Sequence, residues 1–291
     1  MRKGIILAGG QGNRLNPVTR YISKQLTPIY DKPMIYYPLS TLMLMGIKEI
    51  LIVTSREDND KFKQLFGNGH QFGISIEYVI QEEPLGIADA LIRGEDFFKE
   101  SSIALILGDN IFHGDKLGQR LKELSIKEND SVIFGYSVRS PKDYGVAEID
   151  SKGLILNLEE KPESPKSKWA VTGLYLYENS VLKKVKNLSK SYRGELEITD
   201  LNKLLIKEKK LKIELLGRGI TWIDAGTFDR LFNASIYIKT IQERQSSKIC
   251  CPEEIAWRNN WITNDELKEL SITYKNTDYA KYLLQIIEEK F

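Results

Sequence analysis

Histidine and cysteine are scarce in this sequence, and their scarcity limits the metal chemistry that the protein can support. The only histidines are His70 and His113, and the only cysteines, Cys250 and Cys251, are neighbours. Adjacent cysteines provide neither the disulfide framework of a small secreted domain nor the spacing of a zinc site. Two histidines cannot form a multi-histidine zinc centre. Any bound metal must therefore depend on carboxylates, which favour hard ions such as Mg²⁺.

The sequence also lacks long apolar runs and a large excess of charge. The longest apolar stretch, residues 34–47, is interrupted by Pro38, Ser40 and Thr41 and is too short to span a membrane. The apolar run near the start ends after four residues, which is shorter than the core of a signal peptide. The net charge of +2 argues against a general nucleic-acid-binding protein. We therefore expect a cytoplasmic protein that binds small molecules, with neither nucleic acid nor membrane as a partner.

Short apolar runs alternate with amphipathic segments through the first half of the chain. Strands are predicted at residues 4–8, 49–54, 74–81 and 103–108, and helices at 39–45, 60–65, 87–98 and 117–124. The runs EILIVT and IALILG are apolar throughout, which is typical of a parallel sheet that is covered on both faces. The predicted fold class is α/β, with a doubly wound, mixed but mostly parallel sheet.

Closely spaced strands replace this alternation after residue 131. Residues 131–138, 145–150, 154–160 and 170–177 are predicted to form strands that extend the sheet and build a small antiparallel flap. Helices at 179–186 and 197–209 and strands at 212–216 and 221–224 complete the predicted core. We therefore divide the chain into a core, residues 1–226, and a mainly helical C-terminal region, residues 227–291.

One predicted helix of the C-terminal region carries an apolar face that needs a partner. Its members are Phe228, Leu231, Phe232, Ile236 and Ile241. Such a face either packs on the core of the same chain or forms an interface between subunits. The sequence leaves both readings open.

Three glycines follow the first predicted strand, which ends at Ala8. Gly9, Gly10 and Gly12 allow the backbone to turn its amide groups toward an anion. Their spacing, GGQGNR, departs from both the dinucleotide-binding pattern G-x-G-x-x-G and the Walker pattern. The glycines therefore permit phosphate binding without identifying the phosphate.

Cations complete this loop. Arg14 and Lys24, with Arg20 as a weaker third candidate, add a guanidinium fork and an ammonium group to the backbone amides. Together these groups predict a site for a triphosphate. The alternative is a solvated basic loop.

Two aspartates stand where predicted apolar strands end. Asp109 follows LILG, and Asp224 follows TWI. Ligands of α/β proteins collect at such strand ends, although an aspartate there can also serve as a helix cap or a turn residue. Two carboxylates brought together in this way can hold one divalent cation.

Several further motifs occur in a fixed order along nearly the whole chain, from residue 4 to about residue 258. They read LAGGQGNRLNPVT, LGDNIF, YGVAEID, EEKPESPKS, AVTGLY, RGELEITDLN and WIDAGT. On these motifs the chain resembles the sugar-1-phosphate nucleotidylyltransferases, and within that family it is similar to the members that use dTTP. The resemblance implies a Mg²⁺-dependent reaction of dTTP with α-D-glucose 1-phosphate. The products would be pyrophosphate and dTDP-glucose, the first intermediate on the way to dTDP-rhamnose.

The resemblance also implies roles for the residues at matching positions. Arg14 and Lys24 would act at the nucleotide phosphates, and Asp109 and Asp224 would hold Mg²⁺. Lys161 would bind the sugar phosphate, although it lies in a highly charged run and can equally be a surface cation. The other nucleotide contacts would be Leu7, Gly9, Gly10, Gly12, Gln25, Gln81 and Gly86. The other sugar contacts would be Tyr144, Gly145, Glu160 and Val171, with Trp222 packed beside the site.

The chain departs from the family pattern near the base. The family members that use dTTP usually have PDGLAQA where this chain has PLGIADA, so Leu85 and Asp89 replace an aspartate and a glutamine. An enzyme that prefers UTP is therefore an alternative. A non-catalytic nucleotide sensor is a second alternative, which the presence of all four expected phosphate and metal groups disfavours. A glycosyltransferase is disfavoured because Asp109 is not part of a D-x-D motif.

The C-terminal motif CPEEIAWRNNWI resembles the longer members of the family. Those members form homotetramers and bind product nucleotide at a second, inhibitory site between subunits. The resemblance therefore implies a homotetramer. It makes His113, Gly114, Arg218 and Arg258 candidates for a regulatory pocket.

Overall fold

The computed structural model describes residues 2–10 and 12–289 as an α/β fold. The strands are β1 (Lys3–Ala8), β2 (Pro28–Ile29), β3 (Lys32–Pro33), β4 (Glu49–Thr54), β5 (Ser75–Ile80), β6 (Ile103–Leu107), β7 (Asn110–Gly114), β8 (Ser131–Ser137), β9 (Gly145–Ile149), β10 (Ile155–Glu160), β11 (Trp169–Tyr177), β12 (Leu211–Leu216) and β13 (Ile220–Asp224). The helices are α1 (Tyr36–Leu44), α2 (Asn59–Phe66), α3 (Ile87–Arg93), α4 (Glu95–Phe98), α5 (Leu117–Ile126), α6 (Val181–Val185), α7 (Ile198–Lys207), α8 (Phe228–Gln245), α9 (Pro252–Arg258), α10 (Asn264–Thr273) and α11 (Asp278–Glu288).

Nine strands form one mixed sheet in the order β10-β9-β11-β6-β1-β4-β5, with β8 paired to β11 and β12 paired to β8. The strands β6, β1, β4 and β5 are parallel. The long strand β11 is antiparallel to β6 along its second half and to β9 along its first. The predicted fold class, with its mixed sheet and antiparallel flap, is confirmed.

Both faces of the parallel strands are covered, which explains why their sequences are apolar throughout. In β1 the side chain of Ile6 belongs to one buried cluster and that of Ile5 to another, because successive side chains point to opposite faces. The cluster on the Ile6 face also contains Ile255 and Leu283 from the C-terminal helices. Part of the C-terminal region therefore joins the core on this face of the sheet, where α9 packs against α1.

The pairing of the strands determines which loops meet at the carboxyl edge of the sheet. Leu7 in β1 is in register with Leu107 in β6, so the loops that follow these strands leave the sheet side by side. A separate two-stranded sheet pairs Asp224 of β13 with Asn110 of β7, and the Ala225 amide donates to the Asp109 carbonyl at 3.0 Å. Of its two strands, β13 was predicted from the sequence and β7 was not. The small sheet places Asp109 and Asp224 beside each other.

Two sequence predictions differ from the structure. The helix predicted at 87–98 is divided into α3 and α4 at Gly94, where a Cβ atom would lie 2.6 Å from the Phe98 ring. The apolar face predicted for α8 is also divided, because the buried residues of this helix are Ala234, Ile238 and Gln242. None of the described helices is long and apolar enough to cross a membrane.

Candidate active site

Two adjoining cavities open at the carboxyl edge of the sheet. The larger has a volume of about 430 Å³ and the smaller about 210 Å³. Residues from three loops line both cavities, and these shared residues are Gly10, Ile87, Leu107, Asp109 and Glu195. A ligand in one cavity would therefore meet a ligand in the other beside Gly10 and Asp109.

The glycine-rich loop lies between β1 and the first 3₁₀ turn. Gly12 has a positive φ of 63°, and a Cβ atom there would lie 3.0 Å from the Cβ of Lys24. Glycine is the residue that adopts this conformation without strain, and it allows the Lys24 segment to approach closely. Arg14, from the 3₁₀ turn Asn13–Leu15, reaches the larger cavity.

The ammonium group of Lys24 forms an ion pair with the Asp109 carboxylate. Burial raises the pKa of Asp109, but the charge and hydrogen bond of Lys24 outweigh burial and hold this pKa below its usual range. The Lys24 side chain is only 7% exposed and is not among the described residues that line the two cavities. Lys24 therefore contacts Asp109 without lining either cavity itself.

Asp224 lies beside Asp109 in the lining of the larger cavity but has a different electrostatic environment. Burial raises its pKa, and the negative charge of Asp109 raises it further. Arg230 donates to its Oδ2 at 2.9 Å. A Cβ atom on Gly226 would lie 2.9 Å from both Asp224 Oδ1 and Arg14 Nη2, so the carboxylate and the guanidinium flank this glycine.

These two carboxylates have the donor chemistry of a divalent-cation site that is completed by its substrate. Asp109 and Asp224 both line the larger cavity, and their side chains are 19% and 15% exposed. The described residues contain no cluster of three or more histidine, cysteine, aspartate or glutamate side chains arranged to hold a metal. Hard cations such as Mg²⁺ commonly use one or two carboxylates together with phosphate oxygens and water. The residues present therefore fit an ion of this kind.

The predicted sugar-binding residues all line the larger cavity. They are Tyr144, Gly145, Glu160, Lys161 and Val171. Glu160 accepts a hydrogen bond from the Thr199 hydroxyl at 2.6 Å, which fixes its carboxylate toward α7. Lys161 adopts a positive φ of 44°, a conformation that costs energy in a non-glycine residue and is often found at functional sites.

Sequence reasoning missed the segment that completes this cavity. Arg193, Glu195 and Glu197 line it, and Arg193 Nη2 lies 2.8 Å from a carboxylate oxygen of Glu197 and 3.8 Å from one of Glu160. The signal was present in the motif RGELEITDLN, but no role was assigned to its charged residues. Arg193 and Lys161 thus add two cations to the lining of the larger cavity.

The smaller cavity contains most of the residues predicted to bind the nucleoside. Leu7, Gly9, Gly10, Gln25, Gln81 and Gly86 line it. Gly86 has a φ of 97°, and a Cβ atom there would lie 2.5 Å from the Leu196 carbonyl oxygen. This close contact between two backbone segments is reason enough for a glycine at position 86. The backbone amide of Ala88 donates to the same Leu196 carbonyl at 3.2 Å.

Arg20 lies outside the two cavities but next to them. It lines a cavity of about 340 Å³ that shares Gly9, Gly10 and Gln81 with the smaller cavity. The proposed regulatory residues lie elsewhere. His113, Gly114 and Arg258 line a further cavity of about 280 Å³, whereas Arg218 is exposed in the turn before β13. Burial lowers the pKa of His113, whose Nδ1 lies 2.8 Å from the Tyr237 hydroxyl.

Comparison with known proteins agrees with this arrangement. Residues 3–240 match the family model described as nucleotidyl transferase. A glucose-1-phosphate thymidylyltransferase from Neisseria meningitidis is 48% identical over 287 residues, which is 99% of this chain and 100% of the relative. The enzyme of the same description from Mycobacterium tuberculosis is 46% identical over 98% of this chain and 99% of its own length.

Solved structures show the same likeness. A Bacillus anthracis protein described as a glucose-1-phosphate thymidylyltransferase, in complex with sucrose, is 40% identical with a TM-score of 0.76, over 81% of this chain and 95% of its own. A UDP-glucose pyrophosphorylase in complex with UDP-glucose is 25% identical with a TM-score of 0.73, over 82% of this chain and 99% of its own. With its two adjoining cavities and a matching sequence over nearly its full length, the chain belongs to the nucleotidyl transferase family and is a nucleotidyltransferase.

Proposed function

We propose that this enzyme transfers a thymidylyl group from dTTP to α-D-glucose 1-phosphate and releases pyrophosphate. The observation that carries the proposal is the junction of the two cavities at Gly10 and Asp109, with amide side chains in one cavity and carboxylates and cations in the other. The names of the full-length relatives support dTTP and glucose 1-phosphate as the substrates. The product is then dTDP-glucose.

The reaction is an in-line displacement at the α-phosphorus of the nucleotide. A phosphate oxygen of the sugar phosphate forms a bond to this phosphorus, and the bond from the phosphorus to the bridging oxygen of the β-phosphate breaks. The electron pair leaves with pyrophosphate. Because the attacking phosphate is already ionised, the enzyme needs no general base.

Bringing the two polyanions together is the main physical difficulty. Two unit charges 4 Å apart repel by about 4 kcal/mol at an effective dielectric constant of 20. Holding the reacting groups in line contributes roughly 7–11 kcal/mol by removing the entropy cost of a bimolecular encounter. The protein must therefore supply cations on both sides of the junction and fix the two substrates rigidly.

The cations of the larger cavity fall into two groups that fit this need. Arg14 lies beside the glycine loop and is proposed to act on the nucleotide phosphates, with Lys24 near Asp109. Lys161 and Arg193 line the same cavity as Tyr144 and Glu160 and are proposed to bind the sugar phosphate. Guanidinium and ammonium groups offset phosphate charge through charge-assisted hydrogen bonds.

We further propose that Asp109 and Asp224 hold Mg²⁺ during the reaction. Such an ion would neutralise charge on the triphosphate and help orient it. Each carboxylate also has a cationic partner within the protein, Lys24 for Asp109 and Arg230 for Asp224.

The oligomeric state is a separate part of the proposal. Phe228, Phe232 and Ile236 follow one another along one side of α8 and are 44%, 67% and 48% exposed. Residues four apart on a helix form a continuous stripe, and this stripe supports assembly into the homotetramer implied by the family resemblance. The cavity lined by His113, Gly114 and Arg258 is the proposed place for an inhibitory nucleotide.

A pyrophosphate-release assay tests the central proposal. The enzyme is incubated with Mg²⁺ and glucose 1-phosphate and, in turn, with dTTP, UTP, ATP, CTP and GTP. We expect the highest kcat/KM with dTTP. A higher kcat/KM with UTP would favour the uridylyl alternative, and no release with any nucleotide would contradict the proposed reaction.

A further inference from the structure

The structure defines the orientation of the Gln81 side-chain amide in the smaller cavity. Gln81 follows β5, and its backbone amide donates to the Thr54 carbonyl at 2.9 Å, which fixes the start of the side chain. A glutamine side chain ends in an acceptor oxygen and a donor NH₂ group, and rotation by half a turn exchanges them. The orientation of this amide therefore decides whether the cavity offers a ligand an acceptor or a donor.

Two acceptors hold the NH₂ group of Gln81 on the protein side. Its Nε2 donates to Asp89 Oδ2 at 2.8 Å and to the Gly86 carbonyl oxygen at 3.3 Å. The opposite orientation would bring the Gln81 oxygen against two other oxygens. Both protons of the amide are therefore used within the protein, and Oε1 is the atom left for a ligand in the cavity.

Asp89 is built into the fold as an acceptor. It lies on the first turn of α3 and is only 5% exposed. Its Oδ2 also receives a hydrogen bond from Arg93 Nε at 3.2 Å, one turn further along the helix. A carboxylate in an ion pair has no proton to donate, so it accepts only the NH₂ side of Gln81. Asp89 itself is not among the described residues that line the cavity.

Gln25 is a second amide among the residues that line the same cavity. Its Oε1 accepts a hydrogen bond from the Ser23 hydroxyl at 2.8 Å. The direction of a base contact is therefore defined at Gln81, whose Oε1 is an acceptor. A ring N–H can donate to this acceptor, whereas an unprotonated ring nitrogen in the same position cannot.

We propose that Asp89 is a positioning residue for base specificity, which fixes Gln81 as an acceptor so that the pocket selects imide bases over cytosine. Thymine and uracil carry an N–H at position 3, and cytosine carries a lone pair there. This inference rests on the proposed function only for the location of the base. It does not depend on which sugar phosphate reacts.

Equilibrium binding of dTTP and dCTP to the full-length enzyme, measured by titration calorimetry without sugar phosphate, tests the inference. We expect the wild-type enzyme to bind dTTP at least about tenfold more tightly, the ratio that corresponds to about 1.4 kcal/mol. In Asp89→Asn the new amide can donate to Gln81, which frees Gln81 to rotate. The affinity for dCTP should then rise, and the preference for dTTP should fall by about tenfold.

Arg93→Gln is the matched control, because it changes the same hydrogen-bonded group and leaves Asp89 in place as an acceptor. We expect this variant to keep the wild-type preference. A fall of equal size in Arg93→Gln would assign the effect to general disturbance of α3 and would overturn the inference. An unchanged preference in folded Asp89→Asn, or a wild-type enzyme that binds both nucleotides equally, would also overturn it.

Asp89→Ala provides a second variant if Asp89→Asn does not fold, since it removes the acceptor instead of replacing it. The same gain in dCTP affinity is expected, and its absence in the folded variant would contradict the inference. General damage to the smaller cavity would instead lower the affinity for both dTTP and dCTP, which would contradict the inference. Failure of the wild-type enzyme to release pyrophosphate from dTTP and glucose 1-phosphate would contradict the proposed function while leaving the binding comparison interpretable.

Discussion

Arg230 donates from Nη1 to the Oδ2 of Asp224 at 2.9 Å, and the contact joins helix α8 to the end of β13. The other arm of the guanidinium, Nη2, donates to Asp143 at 2.6 Å. The group also lies 5.2 Å from the centre of the Tyr144 ring. One side chain from the C-terminal region therefore connects a proposed cation ligand to the loop that precedes β9 and borders the larger cavity.

We expect Arg230→Gln to lower kcat/KM for glucose 1-phosphate by about tenfold to hundredfold. The estimate follows from about 1.5–3 kcal/mol for hydrogen bonds to charged groups. Asp143→Asn weakens only the outer contact, whose carboxylate is 55% exposed, and should raise the KM for glucose 1-phosphate while leaving kcat nearly unchanged. Steady-state kinetics would measure both variants. Wild-type kcat/KM in Arg230→Gln would rule out this connecting role.

Asp109→Asn and Asp224→Asn should each lower kcat by at least about a hundredfold, because each removes half of the charge proposed to hold the cation. Thermal unfolding should show that both variants remain folded. The affinity for Mn²⁺, measured by electron paramagnetic resonance in the presence of nucleotide, should fall in parallel. Near-normal turnover in both variants would defeat the metal assignment.

Arg14 and Arg193 both line the larger cavity but should affect different kinetic constants, because Arg14 is proposed to act on the nucleotide phosphates and Arg193 on the sugar phosphate. Arg14→Ala should lower kcat by about a hundredfold, as expected for the loss of one transition-state donor. Arg193→Ala should mainly raise the KM for glucose 1-phosphate. If Arg14→Ala raises the KM for dTTP with kcat unchanged, Arg14 acts in ground-state binding instead.

Gly86→Ala should weaken dTTP binding and destabilise the protein, because its new methyl group would lie 2.5 Å from the Leu196 carbonyl oxygen. Gly153→Ala is the control. Gly153 has a similar positive φ of 81°, but a Cβ atom there would meet no atom within 4 Å. We expect a cost of about 1 kcal/mol in the control, from backbone strain alone, and a larger loss of unfolding free energy in Gly86→Ala. Equal losses would show that the contact with Leu196 is unimportant.

Asp31 should make a pH-dependent contribution to stability. Burial raises its pKa, but Lys32 and Lys248, whose Nζ atoms lie 2.6 Å from its two oxygens, together lower the pKa below its usual value. A depressed pKa means that the stabilisation is present above the unfolded-state pKa of about 3.9 and is lost as the pH falls through the folded-state value. Urea unfolding should show Asp31→Asn destabilised by about 3 kcal/mol at pH 7, with the difference shrinking below about pH 4.

Glu82→Gln is the control for this ion pair. Glu82 contacts Arg56, but both side chains are at least half exposed, so their attraction is screened by water. At each pH, the urea midpoint of Glu82→Gln should equal the midpoint of the wild-type enzyme at the same pH. A pH-independent loss of stability in Asp31→Asn would instead point to packing.

The sequence predicted the parallel part of the fold because its strands are apolar along their whole length. EILIVT and IALILG became β4 and β6, in the centre of the sheet. The strand β7 was missed because Asn110–Gly114 is a short segment with polar residues at its ends, and its pairing with β13 is a contact between distant parts of the chain. Local periodicity contains no information about such a partner.

The apolar residues of α8 illustrate the same limit. Leu231 and Ile241 pack against the core, whereas Phe232 is 67% exposed, although all three were predicted to share one face. The elements that α8 packs against, β2 and β13 among them, select its buried stripe. Sequence hydrophobicity alone does not specify those partners.

By itself, the sequence determined the α/β class, the family and the types of charged residue available for phosphate chemistry, because these depend on local patterns and on motifs read in order. The tertiary structure decided which partners those residues have. Lys24 pairs with Asp109, Arg230 with Asp224, and Asp89 with Gln81. These contacts join residues that strand register and helix packing bring together, and the direction of a hydrogen bond depends on that geometry and not on residue type alone.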